Sequence, residues 1–274
     1  MKFDEVRAAY NKLSPIWSMM LPEETPGGNE DTRFVFICPF RNVGQFLAMN
    51  IYSILSQKYS NYKVCFIDDN SNDNGASHFN NLVDGNTKFQ IKENDTQLYA
   101  LKNIADEINR EYLNDEDVII LLDGDDWLSC PHVLSYLNHE YKTDRCWMTY
   151  GSYCFFPFKG RGVEPSEYPP GVIEKNSYRK DVWRASHLRT FKYKLWKNIK
   201  QEDLQYNGDY FKFAYDQAIM LPLLEMSGKR AKYINKTLHV YNRSNPGNVD
   251  KTHAQEQTGI ANYVRSLPPY ERLS

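Results

Sequence analysis

Three carboxylates follow one strongly apolar stretch of the chain. Residues 118–122 are β-branched and aliphatic and too few for a core helix, so they predict a strand buried on both faces. Asp123, Asp125 and Asp126 come directly after it, with Gly124 among them. Crowding three acids at one strand end is electrostatically costly unless a cation lies between them. Mg²⁺ and Mn²⁺ prefer oxygen ligands and share them with phosphates. The pattern therefore favours a metal site, with a solvated acidic turn as the alternative.

A second acidic group ends another predicted strand, residues 62–67. Asp68 and Asp69 follow it and begin the sequence Asp-Asp-Asn-Ser. The carboxyl ends of parallel strands meet at one edge of a sheet, where α/β proteins bind nucleotides. We therefore expect both acidic groups at one nucleotide-binding edge. The same four residues also favour an Asx-turn, which is compatible with binding.

The surrounding pattern supplies the elements that position these acids. Strands are predicted at 33–39, 62–67, 87–92 and 117–122, with helices between them, the first capped by Asn42 and the last spanning 96–112. This alternation predicts an α/β fold with a parallel sheet and helical crossovers. GxGxxG and GxxxxGK[ST] do not occur, so neither a dinucleotide-binding Rossmann site nor a P-loop is supported.

The chain divides into four predicted parts. An N-terminal helix and linker (1–32) precede a nucleotide-binding half (33–130). An acceptor-binding half (131–245) contains a helix at 131–141, a strand pair at 146–156, a loop at 157–182, a basic segment at 175–200, a helix at 210–227 and a closing strand at 231–241. The polar tail, 246–274, is expected to lie on the surface.

Composition narrows the classes of partner. The 274 residues carry a net charge of -2 with pI ≈ 6.3, which gives no indication of a nucleic-acid partner. Aromatic residues make up 14%, including 20 tyrosines, which suits stacking on sugars or bases. The five cysteines are scattered without a CxxC pair and predict reduced core residues. The N-terminus is acidic and lacks a secretory signal, so we expect a soluble, cytoplasmic protein.

Three motifs together resemble glycosyltransferase family 2, whose members are inverting enzymes with a GT-A fold. Residues 36–42 resemble the opening strand with its "P-x-x-N" end, residues 67–73 the "DDxSxD" turn, and residues 123–126 the "DxDD" metal motif. The resemblance covers residues 33–130 well and the remainder loosely. It implies a Rossmann-like, mostly parallel sheet flanked by helices, with a smaller mixed region on the acceptor side.

The resemblance also implies a donor site. Asp69, with Asp68 beside it, would accept a hydrogen bond from the uracil N–H, which a carboxylate at a strand end can do. Asp123 and Gly124 would contact the nucleotide. Mn²⁺ or Mg²⁺ would be held by Asp123 and Asp125, with Asp126 ligating or orienting. The remaining nucleotide-binding candidates are Pro39, Phe40, Arg41 and Lys102, the last standing where the family has arginine. A solvated lysine is the alternative for Lys102.

The family's general base is the acid of an "ED" pair at the start of a late helix. Asp216 occupies that place, although Tyr215 replaces the glutamate. A carboxylate within hydrogen-bond reach can take the acceptor's proton. Asp216 acting as a helix N-cap is the alternative, and Asp209 is the reserve candidate for the base.

The basic segment ahead of that helix offers phosphate contacts. His187 and Arg189 are the candidates, in a loop expected to close over the diphosphate. The alternatives are a solvated face, a site for an anionic acceptor and a peripheral membrane contact. The family's late "Y-R-x-H" element appears only as residues 241–244, without the histidine. His239 lies nearby but out of register.

These observations predict a metal-dependent, inverting transferase that moves a sugar from a nucleotide-sugar, with a UDP-sugar as the expected donor. A glycan, a lipid-linked molecule or a protein remains open as the acceptor. One alternative is a nucleotidyltransferase, although residues 39–42 offer only one basic side chain. The other is a non-catalytic carbohydrate-binding module on a transferase scaffold.

Overall fold

The protein is built on one eight-stranded sheet. The computed structural model describes residues 3–18, 29–83, 85–109, 113–157, 160–162 and 164–274. The sheet order is β3-β2-β1-β4-β7-β6-β10-β5, and β8 and β9 form a separate hairpin. The strands are β1 Phe34–Phe40, β2 Tyr62–Asp68, β3 Phe89–Glu93, β4 Val118–Leu121, β5 Trp127–Leu128, β6 Met148–Phe156, β7 Arg189–Lys192, β8 Gln205–Tyr206, β9 Asp209–Tyr210 and β10 Ala231–Asn242.

Helices cover both faces of this sheet. They are α1 Phe3–Ser18, α2 Gly44–Leu55, α3 Gly75–Val83, α4 Tyr99–Ile108, α5 Val133–Thr143, α6 Pro170–Glu174, α7 Tyr193–Trp196, α8 Tyr215–Ser227, α9 Val249–Thr252 and α10 Ala254–Ser266. One apolar cluster joins the sheet to α4 and α8, and another joins it to α2 and α5. Among the described residues, no helix is both long enough and apolar enough to cross a membrane.

Strand β1 shows why the sheet lies in the centre. All seven of its residues are buried. Val35 and Ile37 pack towards α4 and α8, whereas Phe34 and Phe36 pack towards α2 and α5. Side chains alternate across a strand, so an unbroken apolar run covers both faces, as in parallel sheets.

The strand order brings the two acidic groups to one edge. β1 pairs in parallel with β2 and with β4, and Phe40 aligns with Asp68. The end of β4 therefore lies beside the ends of β1 and β2. The predicted α/β fold with a mostly parallel sheet in its first half is confirmed.

The second half of the sheet is mixed and differs from its prediction. The segment expected as a closing loop contains β7, a strand between β4 and β6 that is antiparallel to both. Its four residues lie between β4 and β6, and Phe191 among them is fully buried. Residues 148–156 form one long strand, not a pair, and it runs parallel to β10. The loop prediction for residues around Arg189 is therefore wrong.

Smaller predictions are also corrected. Pro39 does not end β1. Strand β4 stops at Leu121, which lies opposite Ile37, so no strand on that side needs a hydrogen bond from the N–H that Pro39 lacks. Asn42 does not cap α2; its side chain accepts from the amide of Asn72, and Asp73 accepts from the amide of Gly44 at 2.7 Å. The five cysteines are buried and free, as expected.

A buried ion pair joins α8 to the segment before β7. Arg179 Nε lies 2.7 Å from Glu225 Oε1 and its Nη2 lies 2.9 Å from Oε2. The two side chains are 6% and 0% exposed. Burial raises the pKa of Glu225, and the hydrogen bond from Arg179 opposes that rise. Arg179 thus compensates a charge that water does not reach.

We predict that Arg179→Met lowers the free energy of unfolding by about 3–5 kcal/mol, because it leaves Glu225 buried without its partner. Urea denaturation measures the change. The matched control is Arg184→Met, whose pair with Asp181 is 22% and 19% exposed, with an expected loss of at most about 1 kcal/mol. Equal losses in the two variants would contradict the prediction.

Candidate active site

A large cleft opens at the edge where β1, β2 and β4 end. Its volume is about 1130 Å³, slightly above the usual range for a small-molecule pocket. Most residues singled out from the sequence line it together: Pro39, Phe40, Arg41, Asp69, Asp123, Gly124, Asp125, His187, Arg189 and Asp216. Asp68, Lys102 and Asp126 do not line it.

The turn after β4 is held against β1. The amide of Gly124 donates to the carbonyl of Pro39 at 3.2 Å. A Cβ at residue 124 would lie 2.4 Å from the Cβ of Phe40, closer than side chains can approach. Glycine is therefore required here for close packing of the acidic turn on the strand that forms the wall of the cleft.

Asp123 and Asp125 face the cleft, and each has a partner from the second half of the chain. The hydroxyl of Tyr215 donates to Asp123, at 2.7 Å from Oδ1 and 2.8 Å from Oδ2. The amide of Asn245 donates to Asp125 Oδ2 at 2.6 Å. Burial and the neighbouring Asp126 raise the pKa of Asp125 to about 8. A divalent cation would favour the ionised form instead, so the crowding fits a metal-binding turn.

Asp126 turns away from the cleft into the protein. Its side chain is fully buried and accepts from the backbone amide of Asn242 at 2.8 Å. His239 Nε2 lies 2.8 Å from its other oxygen. Burial raises the pKa of Asp126 well above its ordinary value and lowers that of His239 below its ordinary value. Asp126 therefore anchors the turn to β10.

Asp126, His187 and His239 form a group that could hold a metal ion. Each offers one ligand atom, and these atoms lie within 4.8 Å of one another. The two imidazole rings stack, with centroids 4.3 Å apart and planes 22° from parallel. Nitrogen lone pairs lie in the ring planes, so nearly parallel stacked rings aim poorly at one cation. The open carboxylates of Asp123 and Asp125 are better suited to Mn²⁺ or Mg²⁺.

The acids after β2 serve two local structures. Asp68 Oδ1 accepts from the amide of Ser71 at 2.8 Å, as an Asx-turn does. Asp69 accepts from the amides of Leu98 at 2.7 Å and Tyr99 at 2.9 Å, at the start of α4, and still borders the cleft. Asp69 therefore joins β2 to α4 at the edge of the cleft.

Arg189 and Asp216 meet on the opposite wall. Arg189 Nη2 lies 3.5 Å from Asp216 Oδ2 and 3.2 Å from His187 Nε2. The Nε of Arg189 is buried without a hydrogen-bond partner within the described structure. Asp216 lies in the first turn of α8, whose N-cap is Ala214, so the N-cap reading of Asp216 is wrong. This wall places a buried cation beside a carboxylate that reaches the cleft.

Two candidates lie elsewhere. Lys102 pairs with Asp106 one turn along α4, and its ammonium lies 5.4 Å from the ring centre of Tyr210. Asp209 is exposed on β9 and does not line the cleft. Neither side chain is directed at the acids that follow β4.

The structure adds residues that sequence reasoning missed. The sequence marks Tyr215 only as a departure from glutamate, and it places Asn245 in the acceptor half without a role. The tail was expected on the surface, yet α10 forms one wall of the cleft with Gln257, Thr258 and Asn262. The ring of His253 stacks on that of Phe213, with centroids 4.6 Å apart, and this contact joins the tail to the loop before α8. The sequence shows only that the tail is polar. A polar segment can lie on the outer surface or line a cleft, so this composition does not distinguish the two.

Comparison with known proteins gives the family. Residues 35–202, more than half of the chain, match the glycosyl transferase family 2 profile. An uncharacterized glycosyltransferase of Haemophilus influenzae is 28% identical over 130 residues, which are 47% of this chain and 50% of that protein. The chain thus spans about half the length of this curated relative.

Solved structures share the fold. S. aureus TarS 1-349 in complex with UDP-GlcNAc superposes with a TM-score of 0.59 at 14% identity, over 77% of this chain and 59% of that one. The mannosyltransferase PcManGT from Pyrobaculum calidifontis, in complex with GDP-Man and Mn²⁺, gives 0.51 at 13% identity, over 87% and 67%. The GT-A type of fold expected from the motifs is confirmed, and the chain belongs to glycosyl transferase family 2.

Proposed function

We propose that the protein transfers a sugar from a nucleoside diphosphate sugar, with a UDP-sugar as the first expectation, to an acceptor hydroxyl with inversion. The observation that carries this proposal is the arrangement of the cleft. Asp123 and Asp125 open into it from the end of β4, and Asp216 enters it from α8 on the opposite wall. A donor held by the first pair would present its sugar to the third acid.

The structural neighbours support a nucleotide-sugar donor. TarS was solved with UDP-GlcNAc and with UDP, and PcManGT with GDP-Man and Mn²⁺. At 13–14% identity they share the fold, so their ligands suggest the class of donor and leave the base and sugar open. The half containing residues 33–130 is proposed to bind the nucleotide, and residues 131–245 the acceptor.

The donor site is proposed at the strand ends. Pro39, Phe40 and Arg41 would form one wall of the base pocket, with Asp69 accepting from the base. Asp123 and Asp125 would hold Mn²⁺ or Mg²⁺. The metal, when bound, neutralises charge that develops on the diphosphate. Asp126 would keep the turn in place through its buried bonds to β10.

The transfer step is proposed as a single displacement. The acceptor oxygen attacks the anomeric carbon from the face opposite the diphosphate, and the carbon–oxygen bond to the diphosphate breaks. Asp216 takes the hydroxyl proton as the new bond forms, because its carboxylate reaches the cleft. Attack from the opposite face inverts the configuration.

Arg189 is proposed to contact the diphosphate. Its guanidinium is buried, its Nε lacks a partner among the described residues, and its nearest carboxylate oxygen is 3.5 Å away. A buried cation with an unused donor favours an anionic ligand. Because Arg189 belongs to β7, it would act from a fixed wall and not from a closing loop. Burial, and after it the charge of Arg189, lower the pKa of the neighbouring His187 well below the ordinary value.

We predict that UDP stabilises the protein against heat only when Mn²⁺ is present, because the acids and the diphosphate repel without it. At one hundred times the dissociation constant the stabilisation should reach about 2.7 kcal/mol. Thermal shift with UDP, GDP and CTP measures it, with and without Mn²⁺. Stabilisation by CTP but not by UDP or GDP would favour a nucleotidyltransferase. An unfolding temperature that none of the three nucleotides changes would favour a binding module.

We predict that Asp125→Ala abolishes the Mn²⁺-dependent stabilisation by UDP while leaving the unfolding temperature without ligand nearly unchanged. The substitution removes one acid from a crowded turn at a strand end. Thermal shift again gives the readout, and Asp106→Ala on α4 is the matched control, with a wild-type response expected. A wild-type response in Asp125→Ala would remove the metal assignment.

We predict that Asp216→Asn binds UDP with Mn²⁺ like the wild type but releases UDP from UDP-sugars at least about 100-fold more slowly, because it cannot accept the proton. A panel of UDP- and GDP-sugars, assayed for nucleotide release, provides the measurement. Asp209→Asn changes an exposed acid in the same way and should turn over normally. If Asp209→Asn is the slow variant, the base assignment moves to Asp209.

A further inference from the structure

Tyr215 connects the two halves of the cleft through one hydroxyl group. Its oxygen lies 2.7 Å and 2.8 Å from the two carboxylate oxygens of Asp123. Asp123 follows β4, whereas Tyr215 is the first residue of α8. This bond therefore joins the start of α8, which carries Asp216, to the acids proposed to hold the metal.

The backbone before α8 fixes Tyr215 in this position. Ala214 has a φ of 52°, in the left-handed region that residues with a Cβ rarely adopt. Strained residues of this kind persist where the surrounding structure holds them, and they cluster at functional sites. Ala214 is buried, and its carbonyl accepts the first amides of the helix, from Gln217 and Ala218. The unfavourable turn thus presents Tyr215 to the cleft.

The geometry of the bond restricts how Asp123 can bind a ligand. A carboxylate offers about four lone-pair sites on its two oxygens. A hydroxyl nearly equidistant from both oxygens occupies the space between them. Asp123 is left with its outer lone pairs, which suit one bond to a cation and not a bidentate grip.

We propose that Tyr215 is a positioning residue, whose hydroxyl orients Asp123 for a single-oxygen bond to the divalent cation that carries the donor diphosphate. This inference rests on the proposed function. Hydrogen bonds to metal-binding carboxylates set their direction, and loss of such a partner lowers metal affinity about 10- to 100-fold. The guanidinium of Arg189 lies 5.8 Å from the ring centre of Tyr215. Tyr215 is therefore close both to Asp123 and to the cation proposed to contact the diphosphate.

The test is Tyr215→Phe, which removes only the hydroxyl. UDP binding is measured by calorimetry over a range of Mn²⁺ concentrations and without metal. We expect the Mn²⁺ concentration for half-maximal binding to rise about tenfold, with the affinity for UDP at saturating Mn²⁺ unchanged. A purely structural role would weaken UDP binding at saturating Mn²⁺ as well, and that result would overturn the proposal. Tyr215→Leu also removes the hydroxyl and should give the same rise in the Mn²⁺ concentration. It replaces Tyr215→Phe in the test if that variant folds poorly.

Two further comparisons assign the effect to Asp123. Tyr210→Phe removes a hydroxyl that donates to Gln201 at 2.6 Å outside the cleft, and it should bind like the wild type. In an Asp123→Asn background, Tyr215→Phe should cause no further loss, since a residue acting through Asp123 has nothing left to orient. A full tenfold loss in that background would contradict the proposal. A wild-type protein that binds neither UDP nor GDP with Mn²⁺ would instead overturn the proposed function, and this inference with it.

Discussion

Repulsion among three carboxylates in the four residues after β4 is the constraint on which the cleft depends. Each acid is stabilised by a group from the second half of the chain. Tyr215 donates to Asp123, Asn245 donates to Asp125, and His239 lies against Asp126. The acidic edge of the sheet is therefore not complete within the first half. The distant donors from α8, β10 and the segment after it give the acidic turn its shape.

The mixed part of the sheet gives those donors their positions. β7 fills the gap between β4 and β6 and brings Arg189 beside Asp216. β10 lies parallel to β6 and brings His239 and Asn242 to the buried side of Asp126. Because both strands belong to the same sheet as β4, the distances between the two walls of the cleft are set by strand pairing.

The sequence predicted the first half well because its signals are local. An apolar run with acids at its end predicts β4 and its turn from adjacent residues, and the alternation with helices predicts the parallel order. The prediction for the basic segment was wrong because its charge partner is distant in sequence. Lys192 and Lys194 look unopposed in sequence, but both pair with Glu116, more than seventy positions away. The charges within one segment therefore do not show which of them are paired in the folded protein.

The sequence by itself determined the α/β pattern, the acids that end β2 and β4, and the family resemblance, because each depends on residues close together in the chain. Only the tertiary structure decided which acids open into the cleft, which one is buried, and which residue of the second half meets Asp123. Those outcomes depend on contacts between residues about 90 to 120 positions apart. Such contacts are fixed by sheet order and helix packing, which no local spacing encodes.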